Sequence, residues 1–255
     1  MKNVKAVFKK QLKDTFKNPA TLIQFIIFPL LAFAITRMID FEGMVNFDFE
    51  GMTEEMLAYA KVHAQASMPN MTTMQATVFA GMGLIPIVAG IIAEDIEKKS
   101  LRFLMMAGVK PSAYLLGIGG VVFIASFFTS VAFSLIGEFR EQDFWIFLAL
   151  MMSGVTASIV LGATIGILTK NQQAATGLSM PIALILGFGP IMAQFNDNIA
   201  RWLHVFYTQQ LNVVADYLTI GGTKTSPLQS FAIMWANVAV LGVLFVLAYK
   251  KGLKA

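Results

Sequence analysis

The chain has no cysteine and only two histidines, His63 and His204. That excludes disulfides, a thiol nucleophile and a cysteine-based metal site, and two distant imidazoles do not make a ligand cluster. Charge is scarce as well. Only 13% of the 255 residues are Asp, Glu, Lys or Arg, against roughly 25% in ordinary soluble domains. Hydrophobic residues make up 56%. A soluble core of this size has no use for so little charge, so the composition indicates an integral membrane protein. No G-x-x-x-x-G-K-S/T phosphate loop and no H-E-x-x-H motif occurs. Gly221-Gly222-Thr223-Lys224-Thr225 comes nearest the former, but its Gly-Lys pair is broken.

What is present is six apolar runs, each near the roughly 20 residues that a spanning helix needs. They are Ala20–Ile39, Thr73–Ala93, Ala113–Ile136, Phe144–Leu168, Ala174–Phe195 and Leu228–Tyr249. The runs are continuously apolar rather than alternating, which favours helices over a barrel. The expected fold is therefore a single all-α transmembrane domain over 1–255. Fourteen of the 19 lysines and arginines fall on the side holding residues 1–19, 94–112, 169–173 and 250–255. The other side has Arg37, Lys61, Arg140, Arg201 and Lys224. The positive-inside rule makes the first side cytoplasmic and places both termini there, in a multi-pass plasma-membrane protein. The net charge of +4 reflects that face and implies no nucleic-acid partner.

Three segments outside the spans carry pattern. In residues 1–18, Val4, Val7, Phe8, Leu12 and Phe16 recur at helical spacing with Lys5, Lys9, Lys10, Lys13 and Lys17 between them. That predicts an amphipathic helix in the membrane interface, ended by Asn18-Pro19. Residues 40–72 form an external loop, with a short surface helix expected over Glu54–Met68. Residues 196–225 carry Trp202, Phe206, Tyr207, Tyr217 and Leu218 among polar residues, which predicts short helices lying at the outer surface or dipping back into it.

Inside the spans, Gly154, Ser158, Gly162 and Gly166 recur every four residues, as do Ser126, Ser130 and Ser134. Small-residue ridges let helix backbones approach closely. Pro86, Pro181 and Pro190, with Gly187 and Gly189, predict kinks or an early helix break. Mid-span charge is missing, which disfavours a carrier built on a buried ionisable group. Gln24, Thr77 and Ser179 are the candidate pathway-lining residues. The acidic pair Glu94-Asp95 has no histidine or basic partner within a span, so an enzymatic site is not indicated.

The most informative segment is 94–112, charged yet flanked by two spans. Glu94, Asp95, Glu97, Lys98, Lys99 and Arg102 alternate with Ile96, Leu101, Phe103, Leu104, Met105 and Met106. One helix is expected over Glu94–Met106, its large apolar residues seated in a groove of a soluble partner. At these residues the chain resembles the type-2 permease family of ATP-binding-cassette exporters. Glu97, Ser100, Leu101, Leu104, the Ala107–Ser112 turn and Leu116-Gly117 match that family's segment between spans two and three. Lys99 stands where a glycine is usual, and Ala107-Gly108 where Ser-Pro or a similar pair is usual.

The resemblance implies a permease subunit that exports a hydrophobic or amphipathic substrate, such as a drug, lipid or peptide. It implies a second permease copy, as homodimer or heterodimer, and separate ATPase subunits that hold ATP and Mg. The chain itself would hold no cofactor and catalyse no reaction. It further implies that Glu94, Asp95, Glu97, Ser100, Leu101, Leu104 and Met105 couple to the ATPase. The alternative is a stand-alone secondary transporter or channel.

Overall fold

A computed structural model describes residues 2–17, 19–38, 53, 69–220 and 226–252. Ten helices occupy them: α1 (Lys2–Lys17), α2 (Pro19–Met38), α3 (Pro69–Glu97), α4 (Ser100–Met106), α5 (Pro111–Ile136), α6 (Glu141–Leu168), α7 (Gln172–Ala193), α8 (Asp197–Leu203), α9 (Tyr207–Ile220) and α10 (Pro227–Gly252). No strand occurs among the described residues. Six of the helices, α2, α3, α5, α6, α7 and α10, are long and apolar enough to cross a membrane. They coincide with the six apolar runs. The helix expected over Glu54–Met68 lies outside the described residues.

The bundle is built around α6, which packs against α3, α5, α9 and α10. Its ridge of small residues makes this possible. A Cβ at Gly162 would stand 2.7 Å from the Ile85 carbonyl oxygen, and one at Gly166 2.7 Å from that of Ala89. The α3 and α6 backbones therefore touch, and this ridge is spent on packing within the chain. Ser158 donates to the Ala80 carbonyl at 2.7 Å, adding a polar lock to the same seam. On α5, Thr129 donates to the Phe25 carbonyl of α2 at 3.1 Å. Ser134 bonds the Ser130 carbonyl one turn back, while the Ser126 and Ser130 hydroxyls have no partner among the described residues.

The proline expectations resolve unevenly. α7 runs through Pro181 and Pro190 as one helix. In α3 the irregularity is a π turn over Phe79–Gly83, where the Leu84 N–H reaches back five residues to the Phe79 carbonyl. It stands just ahead of Pro86, which has no N–H to offer Met82. The wide turn presses Gly81 onto α7, where a Cβ would come within 2.6 Å of the Gly187 nitrogen.

α9 does not lie on the outer surface. Tyr207, Leu211 and Val214 are buried, and Tyr207 OH sits 2.9 Å from Ser158 Oγ. Ser158 is seventeen residues along α6 from Glu141, about 25 Å by helix rise. The start of α9 thus reaches well inside the bundle. At the opposite end, α1 packs along α5, where a Cβ at Gly117 would stand 2.5 Å from Val7 Cγ1. Its Lys5, Lys9 and Lys13 are exposed while Val7, Gln11 and Thr15 are buried. The apolar side chains of α2 and α10, among them Ile23, Ile26, Leu30, Val240, Val243 and Leu247, face outward. Such a surface suits hydrocarbon rather than water.

Gly81→Ala is expected to destabilise the bundle by about 1–3 kcal/mol, because the α7 backbone cannot give way. Gly90→Ala, where a Cβ meets nothing within 4 Å, is expected to leave the melting temperature of the detergent-solubilised protein unchanged or slightly raised. Equal melting temperatures for both variants would refute the close crossing.

Candidate functional site

The charged segment after α3 is not one helix. α3 ends at Glu97, α4 begins at Ser100, and the two lysines between them reverse the chain. Lys98 N–H bonds the Glu94 carbonyl and Lys99 N–H that of Ile96, both at 2.9 Å. Lys99 has φ 60° and ψ 7°, the left-handed region that costs a side chain about 1 kcal/mol and that glycine occupies freely. The residue that departs from the glycine of the resembled family therefore sits in the conformation glycine prefers. α4 closes in a similar way. Gly108 has φ 76°, and the Val109 N–H returns to the Leu104 carbonyl at 3.0 Å. Pro111 then starts α5.

Asp95, in the last turn of α3, is buried. A buried carboxylate is costly unless its oxygens are given protons. Here three elements supply them. Oδ1 accepts from Lys10 Nζ of α1 at 2.5 Å and from Ser100 Oγ of α4 at 2.6 Å. Oδ2 accepts from Tyr114 OH of α5 at 3.0 Å. The Tyr114 ring meets that of Tyr249 on α10 at 6.0 Å, and Tyr249 OH donates to the Val109 carbonyl at 3.1 Å. Side chains from five helices thus converge where α3 turns into α4.

The neighbouring acids reach a sixth helix. Glu97 Oε2 accepts the Gln172 backbone N–H at 3.2 Å, and Glu94 Oε2 accepts Gln172 Nε2 at 3.0 Å. Carboxylates are favoured at a helix N-terminus, where backbone N–H groups lack partners. Asn171 completes this end of α7 by accepting from the Ala174 N–H at 2.8 Å. The other Glu94 oxygen pairs with Lys98. That hydrogen bond, and the charge behind it, raises the Lys98 pKa.

The seven residues expected to touch a partner therefore divide. Asp95 and Leu101 are buried, and Ser100 is half-buried on Asp95. Leu104 and Met105 are half-buried against the core. Glu94 and Glu97 hold α7. All seven thus make contacts within the bundle, and Glu97 is exposed as well. Glu97 and Lys98 are exposed at the turn, and from it Lys99, Arg102, Phe103 and Met106 also face outward, with Phe103 69% and Met106 77% exposed. Amphipathic spacing alone could not say which side of so short a helix meets the bundle. Nor did Lys10, Tyr114, Gln172 and Tyr249 announce themselves, since their contacts join residues 19 to 140 positions apart.

The three candidate pathway residues are not gathered into one site. Gln24 is exposed on α2. Thr77 is buried on α3, donating to the Thr73 carbonyl at 2.8 Å with Asn212 Oδ1 of α9 3.4 Å away. Ser179 is buried on α7 and donates to the Thr176 carbonyl at 3.3 Å. Among the described residues no group of three His, Cys, Asp or Glu could hold a metal ion. The named bonds and ring contact tie α3 and α4 to α1, α5, α7 and α10 at one end of the bundle.

A family model described as ABC-2 family transporter protein matches residues 64–247, which includes the whole junction except α1, Tyr249 and the chain ends. No curated protein matches the chain.

Asp95→Ala would orphan the buried Tyr114 hydroxyl and release Lys10. It is expected to cost about 1–3 kcal/mol, measured as a fall in melting temperature. Lys99→Gly is expected to do the reverse, stabilising the protein by about 1 kcal/mol. A destabilised Lys99→Gly variant would contradict the left-handed turn.

Proposed function

The chain belongs to the ABC-2 transporter family, and from that premise we propose that it is the permease half of an ATP-driven exporter. A separate ATPase pair would bind ATP and Mg and hydrolyse the nucleotide, since this sequence has no phosphate loop. A second permease copy, the same chain or a related one, would complete the pathway. The end of the bundle that carries α1 and α4 would face the cytoplasm, as the bias of lysine and arginine toward those segments supports. The cargo would be hydrophobic or amphipathic, in keeping with spans that hold no charge at mid-length.

The observation that carries this reading is the outward face of α4. Lys99, Arg102, Phe103 and Met106 stand at i, i+3, i+4 and i+7, the spacing of anchors that a helix lays into a groove. Two large apolar side chains held in water at the tip of a short, well-fixed helix have no use within the chain. A groove in the ATPase would cover them, with Arg102 and Lys99 on its acidic rim. Coupling then follows from the junction. If the ATPase grips α4 differently in its open and closed states, the difference in contact energy shifts the permease between its two states. Asp95 passes the movement to α1 and α5, and Glu94 and Glu97 pass it to α7. In this reading Asp95, Ser100 and Leu101 transmit rather than dock.

Co-purification of the chain with the ATPase tests the assignment. Phe103→Ser combined with Met106→Ser is expected to weaken association at least tenfold, the loss typical of interface anchors worth above 1.4 kcal/mol. The melting temperature should stay within about 2 °C of wild type, because both side chains are already exposed. Unchanged association together with unchanged substrate-stimulated ATP hydrolysis would refute α4 as the coupling helix. Transport by the chain with no ATPase present would favour the stand-alone carrier instead.

A further inference from the structure

Beside the junction lies a cavity of about 300 Å³, lined by Lys10, Gln11, Asp14 and Thr15 of α1, Thr21 of α2, Ile91, Glu94 and Asp95 of α3, and by Lys98 and Ser100. It opens where α1 meets the first turn of α2 and the last turns of α3. We propose that this cavity binds the ammonium-bearing headgroup of an amphiphile from the adjoining membrane leaflet. Placing that leaflet on the cytoplasmic side rests on the permease reading above.

The charges favour a cation. Two lysines face three carboxylates in the lining, and both lysines are already engaged, Lys10 with Asp95 and Lys98 with Glu94. Asp14 has no ion pair or hydrogen bond among the described residues, although its charge reaches Lys98. It is exposed, and it is the carboxylate of the lining that no lysine holds. Thr15 and Thr21 supply further hydroxyl oxygens. Gln11 is less available, since its amide donates to Thr15 Oγ1 at 3.1 Å.

The volume sets the size of the guest. Cavities that enclose a drug-sized molecule run from roughly 300 to 1,000 Å³, so this one holds a small headgroup and leaves a tail outside. The tail has a path. Residues three, six and ten positions beyond Thr21 form a stripe set about 60–120° around α2 from it, and the first of them stands one turn from Thr21. They are Gln24, Ile27 and Leu31, all exposed. The amphiphile would thus lie with its head in the cavity and its chain along α2, past the residue that the sequence offers as pathway-lining. Its source is a phosphatidylethanolamine of the bilayer or an amine-bearing cargo, which share this chemistry.

The test needs no ATPase, so it fails independently of the permease reading. Full-length protein in detergent is titrated with dodecylamine, dodecanol, phosphatidylethanolamine or phosphatidylglycerol, and bound ligand is counted by native mass spectrometry. An amine-bearing ligand should be retained over dodecanol and phosphatidylglycerol. Asp14→Asn should lower its affinity about tenfold, the scale of one hydrogen bond to a charged group. Asp14→Glu should keep it, and Lys5→Gln, at an exposed site on the opposite side of α1, should change nothing. Tighter retention of dodecylamine identifies a single-chain amine cargo, and tighter retention of phosphatidylethanolamine a bilayer lipid. Equal binding of dodecylamine and dodecanol, or full affinity in Asp14→Asn, would overturn the proposal. Loss of ATPase association would leave it standing.

Discussion

The whole arrangement depends on the absence of side chains between α3 and α6. At Gly162 and Gly166 the two backbones meet, and at Gly81 the other side of α3 meets α7. Helix backbones in contact cannot be pressed closer, and dispersion between them is strongest at that separation. α3 is therefore held from two sides over most of its length. The close approaches leave no side chain between these backbones that could be repacked.

The polar junction lies at the end of that seam. Asp95 hangs from the end of a fixed rod, and a carboxylate out of water must keep its donors. Lys10, Ser100 and Tyr114 are bound to follow it or be replaced by water. Because they belong to α1, α4 and α5, the requirement on one charge becomes a constraint on three elements. Glu94 and Glu97 extend it to α7 through Gln172. The opposite end of the bundle is tied by other means. α9 enters the interior and joins α6 through Tyr207 and α10 through the bond from Ser230 to Gln210 at 2.9 Å.

The sequence makes the spans easy to read, because a run such as Phe144–Leu168 has one environment in which it is stable. The α1 pattern and the location of the charged turn are legible for the same reason: polarity against hydrocarbon is a strong signal. The direction of each face inside that turn is not. Leu101 and Phe103 are both large and apolar, two residues apart, and one is buried while the other is exposed. Leu101 joins the core and Phe103 does not, and the pattern of the segment itself does not decide which. The family resemblance agrees with the family model over residues 64–247, and the position where it expects a glycine is the left-handed turn at Lys99. The π turn leaves no local mark at all, since Phe79–Gly83 reads as an ordinary stretch of span.

The π turn is also a matter of phase. It places one additional residue within a turn of α3, and each residue of an α-helix advances the azimuth by about 100°. Everything after Gly83 is therefore rotated by about that angle from where an unbroken helix would put it. Ile85 and Ala89 owe their alignment with the glycines of α6 to this offset, and Asp95 owes to it the direction of its carboxylate. A single deletion between Phe79 and Gly83 would leave composition, hydropathy and span length almost unaltered. Closing to an ordinary helical turn, it would keep Asp95 facing the lysine, serine and tyrosine that hold it, whereas the same deletion after Gly83 would swing Asp95 away from them by more than a quarter turn.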